Sequence, residues 1–176
     1  MKVIIRNPAP VNQPDQLFWG DFHYGLSLAN SLENLGCDVE IQYWPDWVEI
    51  EADVLLVLRG LRKTEEIAGD FNNKVIWLIS HPEDVADQEL HLFDTILACS
   101  PKHTEELIGR DFNAYNFLQC TDESIFYPPT KRKAKLDNAF IFVGNCRGRS
   151  RSLLERVITT HLPLQIWGKH WVRPEH

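Results

Sequence analysis

Short apolar runs rich in valine, isoleucine and leucine recur along the chain and alternate with helix-length stretches. The run Val54–Leu58 is apolar at every position, which is typical of a strand covered on both faces. Apolar residues in 24–35 recur at helical spacing, and Gly36 ends that pattern. Repeated alternation of this kind favours right-handed crossovers with helices on both faces of one sheet. We therefore expect an α/β fold built on a Rossmann-like, doubly wound parallel sheet.

The predicted elements follow one another with short connections. Strands are expected at Val3–Ile5, Val39–Tyr43, Val54–Leu58, Val75–Ile79, Phe93–Ala98, Tyr115–Leu118, Phe140–Val143 and Leu164–Trp167. Helices are expected at residues 24–35, 63–71, 101–109 and 150–160. A loop of 13 residues, from Asn7 to Trp19, separates the first strand from the first helix.

Composition excludes several classes of protein. With 44% apolar and 24% charged residues, the 176-residue chain resembles an average globular protein. A formal charge of −7 gives no basic footprint for nucleic acid. No stretch has the roughly 18 consecutive apolar residues of a membrane helix, and the first residues do not form a signal peptide. The four cysteines are scattered, which predicts reduced thiols and a cytoplasmic location.

The regular pattern breaks after Phe126. Two consecutive prolines and a charged run up to Asp137 cannot continue a helix or a central strand. The sequence thus predicts an N-terminal domain over 1–127, a linker over 128–137 and the start of a second Rossmann-like domain over 138–176. The last part has only 40 residues from Asp137. We expect either that its strands extend the first sheet or that the second domain is truncated.

Ligands of open parallel sheets bind beyond the carboxyl ends of the strands, where the strand order reverses. Polar groups follow nearly every predicted strand, although strand-end loops are polar in most proteins. These groups are Asn7 with the loop to Gly20–Asp21, Arg59–Gly60, Ser80–Asp84, Ser100, Gln119–Asp122, and Gly144–Asn145 with Arg147.

Four of these groups contain residues whose type suggests a chemical role. Gly20 at a helix start allows backbone N–H groups to approach a phosphate, and Asp21 beside it is also a natural helix N-cap. Arg59 could pair with a carboxylate or hold a phosphate. His81 is the candidate proton-transfer group, because histidine titrates near neutral pH, although lone histidines are more often structural. Further along, Gly144 with Arg147 could form a diphosphate cradle or a solvated loop.

Several common motifs are absent from the sequence. There is no G-x-G-x-x-G dinucleotide fingerprint, no P-loop and no G-x-S-x-G serine elbow. The histidines show no metal-ligand spacing. We therefore expect neither a metal site nor a bound cofactor.

The tail carries the most diagnostic residues. Its motifs are Phe142–Asn145, Arg151, Leu153–Leu154, Ile166–Gly168 and Trp171, preceded by Cys120–Asp122 and Phe126–Pro129. This pattern resembles the start of the nucleotide-sugar domain of CgeB-like glycosyltransferases of the GT-B fold. The resemblance implies transfer of a sugar from a nucleotide diphosphate donor to an acceptor across a cleft between two Rossmann-like domains.

The same resemblance implies roles for individual residues. Gly144, Asn145 and the nearby Arg147 and Arg151 would face the donor phosphates. The Gly20 loop, His81 and Asp122 would face the cleft. The part of the second domain that would hold the base and ribose is missing from 138–176, so the resemblance also implies that this chain is inactive alone.

Two other interpretations remain open. The chain could be a non-catalytic binding module with the same fold, in which Trp44 and Trp47 form a sugar-stacking or partner-binding patch or pack in the core. A flavodoxin-like phosphate or flavin binder is the third. Apolar surface over residues 140–171 could also support a homodimer.

Overall fold

The computed structural model describes residues 1–12, 14–128, 140–146, 152–160 and 163–171. It divides into two compact units, Met1–Glu123 and Ser124–His176. Arg147 and Arg151, both expected to hold donor phosphates, lie outside the described residues, as does the predicted linker from residue 129 onward.

The first unit is built on one six-stranded sheet in which all neighbouring strands are parallel. The strand order is β2-β1-β3-β4-β5-β6. Its strands are β1 (Lys2–Pro10), β2 (Asp38–Trp44), β3 (Glu51–Arg59), β4 (Asp70–Leu78), β5 (Thr95–Ala98) and β6 (Ala114–Asn116). This confirms the Rossmann-like parallel sheet. The order reverses between β1 and β3, which makes their carboxyl ends the topological switch point.

Helices cover both faces of this sheet. They are α1 (Gly20–Asn34), α2 (Asp87–Leu90) and α3 (Pro101–Ile108). Side chains of successive strand residues point to opposite faces, so Ile4 and Ile5 belong to different apolar clusters. Ile5 packs in the cluster that contains Ala29 of α1, and Ile4 in the cluster that contains Leu107 of α3. The core therefore lies in two layers, one on each face.

Strand β1 is longer than predicted. It continues beyond Ile5 through the buried side chains of Arg6 and Asn7 to Pro10, with an irregularity opposite β2 between Asn7 and Pro10. The predicted loop from Asn7 to Trp19 is therefore wrong as a single loop. It contains the end of β1 and a 3-10 turn over Asp15–Phe18. The apolar run ends at Ile5, but the backbone pairing of β1 with β2 continues through Arg6 and Asn7.

The predicted helix over Lys63–Phe71 is also wrong. Residues 62–68 form a connection without regular secondary structure, and β4 already begins at Asp70. Distant side chains engage this backbone: the Thr64 N–H donates to Glu89 Oε1 (2.8 Å), and the Ala68 carbonyl accepts from Arg6 Nη2 (2.7 Å). These long-range bonds replace the local ladder that a helix would need.

The second unit contains a β-α-β arrangement, as predicted. Strands β7 (Phe140–Val143) and β8 (Leu164–Trp167) pair in parallel, and α4 (Ser152–Thr159) lies between them in the chain. Among the described strands, these two form a sheet of their own, so they do not extend the first sheet.

Candidate functional site

Asn7 ties the end of β1 to the start of α1 at the switch point. Its side chain is fully buried, and its Nδ2 donates to the Asp21 carbonyl (2.7 Å) while its Oδ1 accepts from the Ala9 N–H (2.9 Å). Gly25 allows this approach, because a Cβ at that position would overlap Asn7 Nδ2. The first turn of α1 is therefore fixed against the strand end.

Asp21 is the second residue of α1 and does not cap it. The N-cap is Trp19, which makes no side-chain capping bond, so the N-cap interpretation of Asp21 is wrong. The half-buried carboxyl group lies against Gly60 at the end of β3, where a Cβ would come within 2.7 Å of Asp21 Oδ2. Burial raises the pKa of Asp21, and the nearby charge of His81 acts in the opposite direction.

His81 follows β4 and adopts a left-handed backbone conformation, with φ 52° and ψ 50°. Its Nδ1 lies 3.0 Å from Ser80 Oγ. A non-glycine residue in this region costs of order 1 kcal/mol, and such strain is concentrated at functional sites. The carboxyl group of Asp21, which follows β1, and the imidazole of His81, which follows β4, are thus within electrostatic range of each other.

Gly20 directly precedes Asp21 at the start of α1. It is exposed and is the first residue of α1, and a Cβ built there would have no atom within 4 Å. The backbone N–H groups of a first helical turn have no partners within the helix. The start of α1 thus offers donors beside the carboxyl group of Asp21.

Arg59 lies inside the protein, with 2% of its surface exposed. Its Nε and Nη2 bind the two carboxylate oxygens of Glu89 at 2.7 and 3.1 Å, and Nη1 donates to the Gly60 carbonyl. This is the ion-pair alternative that the sequence left open. Arg59 therefore positions the strand end that carries Gly60.

Ser100 and Asp122 are both engaged by neighbouring groups in the first unit. Ser100 is the N-cap of α3, and its side chain accepts from the His103 N–H (3.4 Å). Asp122 Oδ2 accepts a hydrogen bond from Ser27 Oγ of α1 (2.8 Å). Ser100 thus has a capping role, and Asp122 lies beside α1.

In the second unit, Gly144 and Asn145 form the turn after β7. The Gly144 carbonyl accepts from Trp171 Nε1 (2.7 Å), and Asn145 Oδ1 accepts from the Lys169 N–H (2.8 Å). Gly168 is required here, because a Cβ would overlap the Gly144 carbonyl oxygen. Gly144, Asn145, Gly168 and Trp171 therefore hold this turn together.

The interpretation of the sequence missed Gly25 and Arg6. A glycine inside a helix costs about 1 kcal/mol relative to alanine, so its presence in α1 was a signal of close packing. Arg6 directly follows the apolar run of β1, and this position was a signal that the charged side chain is buried. It is 1% exposed.

No protein-family model, curated protein or solved structure matches this chain. Within the described ranges, no three histidine, cysteine, aspartate or glutamate side chains come together as metal ligands. In the same part of the chain, no helix has the length and apolar character needed to cross a membrane.

Proposed function

We propose that this protein takes part in sugar transfer from a nucleotide diphosphate donor to an acceptor hydroxyl. The observation that carries the proposal is the position of the Asp21 carboxyl group, which lies against Gly60 at the switch point and within electrostatic range of His81. Ligands of open parallel sheets bind at this location, and a carboxyl group near an imidazole is suited to proton transfer.

In the proposed reaction, His81 is the general base. When its Nδ1 donates to Ser80 Oγ, Nε2 is free to accept the proton of the acceptor hydroxyl. The acceptor oxygen then bonds to the anomeric carbon, and the bond from that carbon to the diphosphate oxygen breaks. Its electron pair leaves with the nucleoside diphosphate. The carboxylate of Asp21 stabilises the imidazolium that forms.

The donor side of the proposal rests on the resemblance of the tail to CgeB-like glycosyltransferases. Its motif residues form a strand end and a turn, where Gly144 and Asn145 would approach the donor phosphates. The cysteines in the described residues are free, which supports a cytoplasmic location.

The test measures nucleoside diphosphate release from UDP-, GDP- and dTDP-sugars by the complete gene product that carries this sequence. His81→Asn is expected to lower kcat by roughly 10²–10⁴, the usual contribution of a positioned base, with donor affinity unchanged. The matched control is His103→Asn on α3, which should keep full activity.

Two outcomes would contradict the proposal. One is full activity of the His81→Asn variant, which would exclude His81 as the base. The other is a complete gene product that releases no nucleoside diphosphate from any of these donors. Binding of a donor without release, unchanged in the variant, would favour the non-catalytic binding module.

A further inference from the structure

A cleft in the first unit lies between two connections that contain no helix, one from β2 to β3 and the other from β3 to β4. It has a volume of about 450 Å³ and is formed by the segments that follow β2 and β3, with Arg6 of β1 in its wall. Arg6 lies two residues after Ile4 in β1, so its side chain is on the same face of the sheet as that of Ile4, opposite α1. A cavity of this size is in the range of small-molecule sites.

Arg6 brings a buried positive charge to this cleft. Its Nη2 donates to the Val48 and Ala68 carbonyls at 3.3 and 2.7 Å, and its Nε donates to Gln42 Oε1 at 3.4 Å. Among the described residues, no carboxylate lies within 4.0 Å of its guanidinium. A buried guanidinium without a counter-ion is costly and attracts an anion.

Arg62 provides a second guanidinium, which is held by aromatic rings. Its Cζ lies 3.7 Å from the ring centroid of Trp44 and 5.7 Å from that of Trp19. Its Nε is buried with no hydrogen-bond partner. The contact with the indole rings fixes the orientation of the Arg62 guanidinium. In the described part of the chain, no carboxylate pairs with this guanidinium.

The remaining charges of the cleft limit the ligand. Lys63 adds a third cation, whereas the exposed Glu65 and Glu66 add two carboxylates. The excess of cations is small, which favours a ligand with one anionic group. The indole of Trp47 lies beside Arg6, whose Cζ is 5.9 Å from the ring centroid, and offers an apolar surface next to the charge.

We propose that this cleft binds a ring compound of monosaccharide size that carries one phosphate or carboxylate group. The anion lies between the guanidinium groups of Arg6 and Arg62, and the ring lies against Trp47. Bidentate recognition of such anions is the chemistry that the guanidinium of Arg62 supplies, and Arg6 adds Nη1 and its charge, because its Nε and Nη2 already donate within the protein. The inference does not rest on the proposed sugar transfer, which uses Asp21 and His81.

The first test titrates the protein with glucose 6-phosphate, glucuronate and neutral glucose, followed by calorimetry and tryptophan fluorescence. At least one anionic sugar is expected to bind tenfold or more tightly than glucose, because charge-assisted hydrogen bonds are lost with the neutral sugar. The two anionic arms distinguish a phosphate ligand from a carboxylate ligand. Equal affinity for glucose, or no binding of any probe at about 10 mM, would overturn the proposal.

The second test compares two variants of Arg62 with a control that removes the same charge elsewhere. Arg62→Gln should weaken binding of the anionic sugar about tenfold, and Arg62→Lys should weaken it less, because it keeps the charge and loses the fork. Lys102→Gln is the matched control, since this lysine is exposed on α3. An equal loss in the Lys102→Gln variant would show a general charge effect and reject the cleft as the site.

Discussion

Asp21 holds a half-buried carboxyl group between the first turn of α1 and Gly60. Burial raises its pKa, so the ionised form is less favourable in the folded protein than in the unfolded chain. Such a position lowers stability at a pH at which the carboxyl group is ionised. Groups with perturbed ionisation are concentrated at functional sites.

The Asp21→Asn variant should therefore be more stable than the wild type at neutral pH. A folded-state pKa above the unfolded value of 3.8 means that the favourable contribution is complete below pH 3.8 and is lost as the pH rises through the folded pKa. We expect thermal unfolding to show a gain of about 2 °C at pH 7.

The gap between the Asp21→Asn variant and the wild type should close below pH 3.8, where Asp21 is protonated in both states. Asp38→Asn, at an exposed position in β2, serves as the control and should leave the melting temperature unchanged. A less stable Asp21→Asn variant at neutral pH would reject this account.

At the scale of elements, the contact between α1 and β1 depends on Gly25. Replacing a glycine with alanine inside a helix normally stabilises the protein by about 1 kcal/mol. A Cβ at Gly25 would instead overlap the Asn7 side chain, so we expect Gly25→Ala to destabilise the protein by about 1–3 kcal/mol in urea unfolding.

Gly20→Ala provides the comparison on the same helix. No atom lies within 4 Å of its Cβ position, so this variant should keep the stability of the wild type or exceed it. Similar destabilisation by both substitutions would mean that the close approach to Asn7 is not the cause.

The strands could be predicted from the sequence because their apolar runs depend on local composition. Val54–Leu58 lies within β3, and Val75–Ile79 lies within β4 except for its last residue, because β4 ends at Leu78. The segment Lys63–Phe71 could not be predicted, because its conformation depends on hydrogen bonds from Arg6 and to Glu89, which are distant in the sequence.

The candidate site was predictable to a similar extent. The rule that ligands bind beyond the carboxyl ends of parallel strands placed Asp21 and His81 at the same edge of the sheet. It could not show that Glu89 engages Arg59, because that pairing depends on how α2 packs on the sheet. The left-handed backbone of His81 also has no signature in the sequence.

At the scale of the whole molecule, the first unit has its own core. Both apolar clusters consist of residues within Met1–Glu123. We expect a polypeptide that ends at Glu123 to fold cooperatively, with a melting temperature within about 4 °C of the first transition of the full chain. Circular dichroism and calorimetry measure this directly. An unfolded spectrum for the shortened chain would contradict the division into units.

Helix α1 is held at two points that are six residues apart. Asn7 binds the backbone at Asp21, and Asp122 binds the side chain of Ser27, about 9 Å further along the helix axis. The residue next to the point at which the chain leaves the first unit is therefore attached to the same helix that carries Asp21.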